Sequence, residues 1–361
     1  MKKYYFFLLF ILSNITLYSM DFIYYFNVKD SLQIGITGAP YGSYSSETGI
    51  GLGINLILIE KTKPYIINTF DLRLDTFYSQ ENEKELSVSS TIPLRKNNQL
   101  INFEAKYKSR PQSFYGIGPN TDKNNKIEIQ KNYYRLKGDW NQIFSNNTSL
   151  GIAFDFSGFH NEFNNDIIEN FTYNGYKNFY RTLGLGSKLV INKKDKNTFP
   201  TKGYYYKNQF MIYNKNFISD YNFYTFSQEF QYFFSIDKHI IANQIVAENN
   251  FKNIPFHYLS EQGGAYIMRG YSTGRFIEKH FIGIQSEYRA PIILWRVSPV
   301  LFCSAGNSFK KYKDINKHNL HITGGFGFRF ALDTNRRLNV RADIGFSNEG
   351  KQIYLKFGES F

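Results

Sequence analysis

The sequence predicts an all-β chain that forms a transmembrane antiparallel β-barrel of about 16 strands. Three observations lead to this fold class. Apolar and polar residues alternate with a two-residue period almost everywhere after residue 30, which is typical of strands. Many of the alternating segments run to roughly ten to fifteen residues, whereas soluble strands average about five or six. Short and long connections also alternate, as in barrels with turns at one rim and loops at the other.

The segment LNVRADIGF shows the alternation most clearly. One face carries only apolar side chains, those of Leu338, Val340, Ala342, Ile344 and Phe346. A soluble sandwich would show the same alternation with its apolar face inward. The long strands and the pattern of connections therefore decide for the barrel.

Sixteen strands are predicted in order: 31–38, 48–60, 64–78, 83–92, 98–108, 130–142, 147–160, 176–191, 202–214, 221–236, 239–250, 279–291, 295–305, 319–331, 337–347 and 351–361. The number is even, as in bacterial single-chain barrels. The long gaps follow odd-numbered strands, at 109–129, 161–175, 251–278 and 306–318. Tight gaps follow even-numbered strands, as at 61–63, 93–97, 143–146 and 332–336.

The composition agrees with a barrel in lipid. Backbone polar groups find no water in the hydrocarbon core, so a strand protein must close on itself. Only one face of each strand then meets lipid, which is compatible with a mean hydropathy of −0.41. The aromatic content of 19 %, with 36 Phe and 29 Tyr, supplies residues for the two interfacial girdles.

The N-terminus resembles a secretory signal. Lys2 and Lys3 precede the apolar run Tyr4 to Leu12, and Ser19 is a candidate cleavage position. The apolar run is short for a membrane anchor, the alternative interpretation. We therefore expect a signal peptide over 1–19, a short periplasmic lead over 20–30, an outer-membrane barrel over 31–361 and an outer-membrane location.

Charge and cysteine content exclude several classes of protein. The net charge of +13 raises nucleic acid as a partner, but the lysines are spread through Asn-rich loops and no basic helix is predicted. We expect no nucleic-acid partner; positive loops can instead meet anionic lipid head groups. The single cysteine, Cys303, rules out an internal disulfide and a cysteine-based zinc site.

The long gap 251–278 contains GGAYIMRGY, residues 263–271, in which Arg269 stands among glycines. This stretch resembles the sixth-loop signature of the BamA/TamA/FhaC superfamily of outer-membrane barrels, VRGF or VRGY, with Met268 in place of Val. The corresponding motif residues are Gly263, Gly264, Arg269, Gly270 and Tyr271. Independently of the family, glycines allow the loop to adopt positive φ and to pass close to the wall.

Other segments extend the resemblance over nearly all of residues 31–361. The stretch NTFPTKGYYY is similar to the family's periplasmic FPTxG turn, with Phe199, Pro200 and Gly203 at the motif positions. Further similar segments are Pro40 to Gly53, Phe114 to Thr121, Gly324 to Phe330, and the terminal Phe361, which resembles a C-terminal sorting residue.

The resemblance implies that the sixth loop folds into the lumen and that Arg269 pairs with acids on strands 12 and 13. Glu287 matches the acid on strand 12. Ser304 stands where the family has an Asp on strand 13, which weakens the second partner position, and Asp343 on strand 15 is a candidate substitute. A carboxylate partner is also physically required, because an arginine that leaves bulk water needs one.

The resemblance further implies a monomer that inserts or translocates polypeptide or lipid at the outer membrane, contacts outer-membrane lipid, and depends on the barrel-assembly machinery for its own insertion. The family mechanism uses a weak seam between the first and last strands. The chain has no room for the POTRA domains that precede most such barrels, so it resembles the barrel-only branch. A passive porin-like channel and a surface-structural protein are the alternatives.

No segment predicts a cofactor, a metal site or an enzyme. His318 and His321 are three residues apart but show no ligand motif. The glycine-rich segment 49–53 lies in a predicted strand with no following helix, so it is not a nucleotide fingerprint. Lumen-facing Arg329 and Arg341 either select anions or fill the lumen with hydrogen bonds.

Overall fold

A computed structural model describes residues 24–29, 32–60, 70–94, 98–145, 147–162, 178–333 and 337–361. The predicted signal peptide, 1–19, lies outside the described residues. So do the whole of the short turn expected at 61–63 and all but the first two residues of the long connection expected at 161–175.

The described chain is built of strands and a few single-turn 3-10 helices. The strands are β1 (Tyr24–Lys29), β2 (Leu32–Ser45), β3 (Gly49–Glu60), β4 (Asp71–Ser79), β5 (Lys84–Leu94), β6 (Gln99–Phe114), β7 (Ile127–Ser145), β8 (Thr148–Glu162), β9 (Phe179–Asn192), β10 (Gly203–Tyr213), β11 (Phe223–Ile236), β12 (His239–Lys252), β13 (Ser260–Gln262), β14 (Phe276–Glu278), β15 (His280–Arg289), β16 (Val297–Phe309), β17 (Leu320–Asp333), β18 (Leu338–Ser347) and β19 (Gly350–Phe357).

Sixteen of these strands form a closed antiparallel barrel, which confirms the predicted fold class. The wall consists of β2 to β12 and β15 to β19, each paired with its neighbour along the chain, and β19 meets β2 to close the circle. The seventeenth strand of the sheet, β1, pairs with β2. Closure brings together the two edges that an open sheet would leave, although β2 and β19 pair over only part of their lengths.

The wall strands keep the two-residue period of the sequence. On β15 the outward Ile282 and Ile284 are exposed, whereas the inward Gln285, Glu287 and Arg289 are buried. This is the arrangement of a barrel with an apolar outside and a polar interior. No helix among the described residues is long and apolar enough to cross a membrane.

The two rims differ, as the connection lengths predict. One rim, which we call the loop end, carries the connections 115–126, 253–279 and 310–319. The other, the turn end, carries 193–202, 237–238 and 290–296. The connection 253–279 is the sixth loop; it contains the β13–β14 hairpin and lies inside the barrel.

Some predicted boundaries were wrong. The first wall strand extends to Ser45 instead of ending at residue 38, because its alternation continues through Pro40 and the two flanking glycines. The last strand ends at Phe357 and does not run to Phe361. Gly358 has a φ of +74°, a conformation that turns the chain out of the sheet. Within the stretch predicted as a lead, residues 24–29 form β1.

Candidate functional site

The sixth loop touches the barrel wall at the Arg269–Gly270 peptide. A Cβ on Gly270 would lie 2.7 Å from the carbonyl carbon of Phe346, and a Cβ on Gly345 would lie 2.5 Å from that of Arg269. Loop and wall backbones therefore meet where both sides carry glycine. Gly270 also has a φ of +124°, which an L side chain rarely adopts.

Arg269 binds two carboxylates inside the barrel. Its Nη2 lies 2.5 Å from Glu287 on β15, and its Nη1 lies 2.8 Å from Asp343 on β18. All three side chains are fully buried. The guanidinium also lies over the Phe302 ring, 3.7 Å from its centroid. The structure thus brings Arg269 together with Glu287, the acid expected on strand 12, and with Asp343.

Ser304, the weakened second partner position, has a different contact. Its hydroxyl lies 2.6 Å from that of Thr323 on β17. The acid that completes the arrangement around Arg269 comes from β18, two strands further along the wall.

Three further arginines join these acids in one buried network, which we call the arginine cluster: Arg269, Arg289, Arg329, Arg341, Glu287, Asp343 and Glu359. Arg289 contacts Glu287 at 2.9 Å, and Arg341 contacts Asp343 at 2.8 Å. Arg329 contacts both Asp343 and Glu359 at 2.6 Å. The cluster holds four cations against three anions, and such an excess is tolerable only where each buried charge has a partner.

The end of the chain also reaches the arginine cluster. After Gly358, the Ser360 hydroxyl donates to Glu287 at 2.6 Å, and Arg289 donates to a main-chain oxygen of Phe361 at 3.2 Å. The Phe361 ring lies 6.0 Å from that of Phe233 on the inner wall. The sixth loop and the chain terminus are thus held by the same charged groups.

The FPTKG turn is organised by an aspartate that its motif does not contain. Asp195 accepts hydrogen bonds from the Thr201 amide at 2.9 Å and the Thr201 hydroxyl at 2.8 Å, and it pairs with Arg337 at 2.6 Å. Gly203 has a φ of +101°, and a Cβ there would collide with the Lys193 carbonyl.

The same turn contacts the arginine cluster. Arg289 lies 5.2 Å from the Phe199 ring centroid, and the Phe199 carbonyl accepts a hydrogen bond from Arg337 at 3.2 Å. The predicted turn residue Phe199 therefore lies next to the arginine cluster, and Pro200 and Gly203 belong to the same turn.

The first part of the sixth loop fills the lumen near the loop end. His257 stacks on Phe159 of β8, with ring centroids 4.4 Å apart. Tyr258 packs against both Tyr213 and Phe223, whose rings stack on each other with centroids 4.1 Å apart. Phe256 is buried against Phe114, with ring centroids 5.5 Å apart. This aromatic packing holds residues 256–258 against the inner wall of β6, β8, β10 and β11.

A polar cavity of about 480 Å³ remains between the walls formed by β4 to β10. Charges of both signs line it, among them Arg135, Lys188, Lys207, Asp139 and Asp155. Lys188 and Asp139 are paired at 2.7 Å. The lumen therefore keeps a charged space on the side opposite the arginine cluster.

The first and last wall strands meet in a weak seam. The pairing of β2 with β19 covers only two residue pairs in the described part of the chain, Tyr44 with Leu355 and Ser45 with Tyr354. Ser46, just beyond β2, adds two hydrogen bonds to the Ile353 backbone, at 3.2 and 3.0 Å. By contrast, β2 and β3 pair from Ile34 to Ser45. At its other end β2 pairs with β1 through residues 32–36. Because cohesion in a sheet grows with the number of paired residues, this junction is the least stable in the described wall.

Comparisons with known proteins agree with this architecture. Residues 69–361 match the Omp85 superfamily domain. A crystal structure of BamA from Haemophilus ducreyi lacking POTRA domains 1–3 is similar, with a TM-score of 0.60 and 14 % identity over 95 % of this chain and 76 % of that one.

CdiB from Acinetobacter baumannii is similar with a TM-score of 0.56 and 10 % identity, over 90 % of this chain and 60 % of its own. CdiB from Escherichia coli has a TM-score of 0.59 and 9 % identity, over 94 % and 68 % of the two chains. The search of curated protein sequences gave no match. The match over residues 69–361, supported by the shared fold, shows that this chain belongs to the Omp85 superfamily.

Proposed function

We propose that this barrel resides in the outer membrane and inserts or translocates client polypeptide there. The weak seam is the observation that carries the proposal. A wall joined by two residue pairs can part at low cost, and its freed edge offers backbone donors and acceptors to an extended segment of another chain. Membership in the Omp85 superfamily and similarity to BamA and CdiB barrels support the same role.

The filled lumen supports this function over that of a passive channel. An open pore would need a continuous aqueous path, but residues 254–259 and the arginine cluster occupy the interior at different heights. Arg275 adds a further tie at the loop end, because it contacts Glu349 at 2.5 Å and the Thr121 hydroxyl at 2.8 Å. Release of a polypeptide or lipid through the wall would not require this plug to move.

The test is depletion of the protein in its host cell. Pulse-labelled outer-membrane polypeptides and uptake of a small hydrophilic dye are followed together. The proposal predicts that unassembled polypeptide accumulates while dye uptake stays unchanged. A porin-like role predicts the reverse, namely altered dye uptake with normal assembly, and that result would overturn the proposal.

A further inference from the structure

The turn between β15 and β16 is unusually apolar for a barrel turn. Ile292, Ile293, Leu294 and Trp295 are exposed by 51, 66, 72 and 70 %. The other turns that are described in full at this end, 193–202 and 237–238, consist largely of Lys, Asp, Asn and Thr. Four consecutive large apolar side chains in water would be unfavourable, so this surface requires a partner.

The turn has a defined conformation. The Val297 amide donates to the Leu294 carbonyl at 2.8 Å, and the Ile293 amide donates to the Val297 carbonyl at 3.0 Å. Trp295 has a φ of +50°, a left-handed conformation that favours glycine or asparagine over a bulky residue. Arg296 binds the Leu332 carbonyl at 2.9 Å, which ties the turn to β17. The apolar side chains therefore project from an ordered support.

The apolar surface of the turn continues the outer surface of the barrel. The Trp295 ring lies 5.5 Å from that of Phe330 on β17. Phe328, two residues before Phe330, is exposed by 50 % on the same outward face, and Leu301 on β16 is exposed by 58 %. A single apolar band thus runs from the wall into the turn.

We propose that residues 292–295 insert into the lipid leaflet at the turn end and anchor this rim at the boundary between acyl chains and head groups. This inference rests on the proposed membrane location. Continuity with the outward apolar band identifies lipid as the partner, because a separate protein partner would not require that continuity. Tryptophan suits this boundary since its ring is apolar and its N–H is polar.

Fluorescence quenching tests the proposal, because the chain contains two tryptophans. Trp140 lies on the outward face of β7 next to Ile101 and Ile152, so it reports whether the barrel itself is in lipid. The variants Trp140→Phe and Trp295→Phe each leave one tryptophan. Both are refolded into phosphatidylcholine vesicles in which the acyl chains are brominated near the glycerol ester or near the methyl end.

The proposal predicts that the shallow bromines quench Trp295 at least as strongly as they quench Trp140. It also predicts that the deep bromines quench Trp295 less than the shallow ones do, and that aqueous iodide quenches it little. The proposal would be overturned if iodide strongly quenches Trp295 and neither brominated lipid lowers its fluorescence, provided that the brominated lipids do quench Trp140. If Trp140 also escapes lipid quenching, the membrane location itself fails. Should Trp140→Phe not refold, the difference between wild type and Trp295→Phe isolates the Trp295 signal.

Discussion

Replacing Arg269 by alanine should release the sixth loop from the wall. The change removes a cation that contacts Glu287 at 2.5 Å and Asp343 at 2.8 Å where all three groups are buried. Breaking one buried pair costs about 3–5 kcal/mol, because an unpaired charge remains. Arg289 and Arg341 still contact the two acids, so we expect the lower end, about 3 kcal/mol.

That loss corresponds to a roughly hundredfold rise in the open population of the loop. Hydrogen exchange of the amides in residues 263–276 measures it directly in the refolded protein, because local opening sets their exchange rate. Arg73→Ala is the matched control. Arg73 pairs with Asp71, but the Arg73 side chain is 53 % exposed, and ion pairs of exposed side chains contribute little to stability. Exchange in Arg269→Ala within about threefold of wild type would refute the argument, because one tenfold step equals about 1.4 kcal/mol.

Three further outcomes follow from the structure. Gly270→Ala should lower the yield of refolded barrel, because the new Cβ meets the Phe346 backbone. Gly350→Ala is the control and should refold well, since Gly350 also has a positive φ but no atom lies within 4 Å of the added Cβ. The electrophoretic mobility of unheated samples compares the folded fractions of the two variants. Arg269→Ala should open or flicker in single-channel recordings while wild type stays nearly closed, and equal conductance would show that the loop does not gate the lumen. Burial opposes ionisation of Asp195, but hydrogen bonds from Thr201 and Arg337 lower its pKa overall, so its contribution to stability is present above the unfolded pKa and lost as pH falls through the folded one. Acid should therefore lower the protection of the amides in 193–202, measured as their exchange rate relative to the intrinsic rate at the same pH, and Asp195→Asn should remove that dependence.

The two-residue period was sufficient to predict the barrel and its strand number, because side-chain alternation is a local property of each strand. The motif around Arg269 also indicated which strand of the wall carries its partner Glu287. Asp343 was also named as a candidate partner, but the sequence could not show that Arg289, Arg329, Arg341 and Glu359 join the same cluster. Alternation shows that Arg289 and Arg329 point inward, but the heights at which inward side chains from different strands meet depend on register and strand tilt.

The chain end shows the limit of the same reasoning. Alternation continues through Phe361 and predicted a strand to the last residue, but Gly358 turns the chain into the lumen, where Ser360 binds Glu287. The sorting role of Phe361 remains a prediction, since its observed contact is with Phe233 inside the barrel. Asp195 was missed because one of its partners, Arg337, lies on another turn that is distant in sequence.

A reversible cross-link across the seam tests whether β2 and β19 part when the protein acts. With Cys303 replaced by alanine, cysteines at Tyr44 and Leu355 face each other across β2 and β19. Opposed residues in antiparallel strands lie about 4.5–5.5 Å apart between Cα atoms, within the range that a disulfide spans. The control joins Ile344 and Ile353, which face each other in the longer β18–β19 pairing.

Each variant is expressed in cells depleted of the wild-type protein, and assembly of outer-membrane polypeptides is measured before and after reduction. If the seam has to part, the oxidised variant blocks assembly, reduction restores it, and the control works in both states. Full assembly with the seam demonstrably cross-linked would show that the barrel functions with β2 and β19 joined.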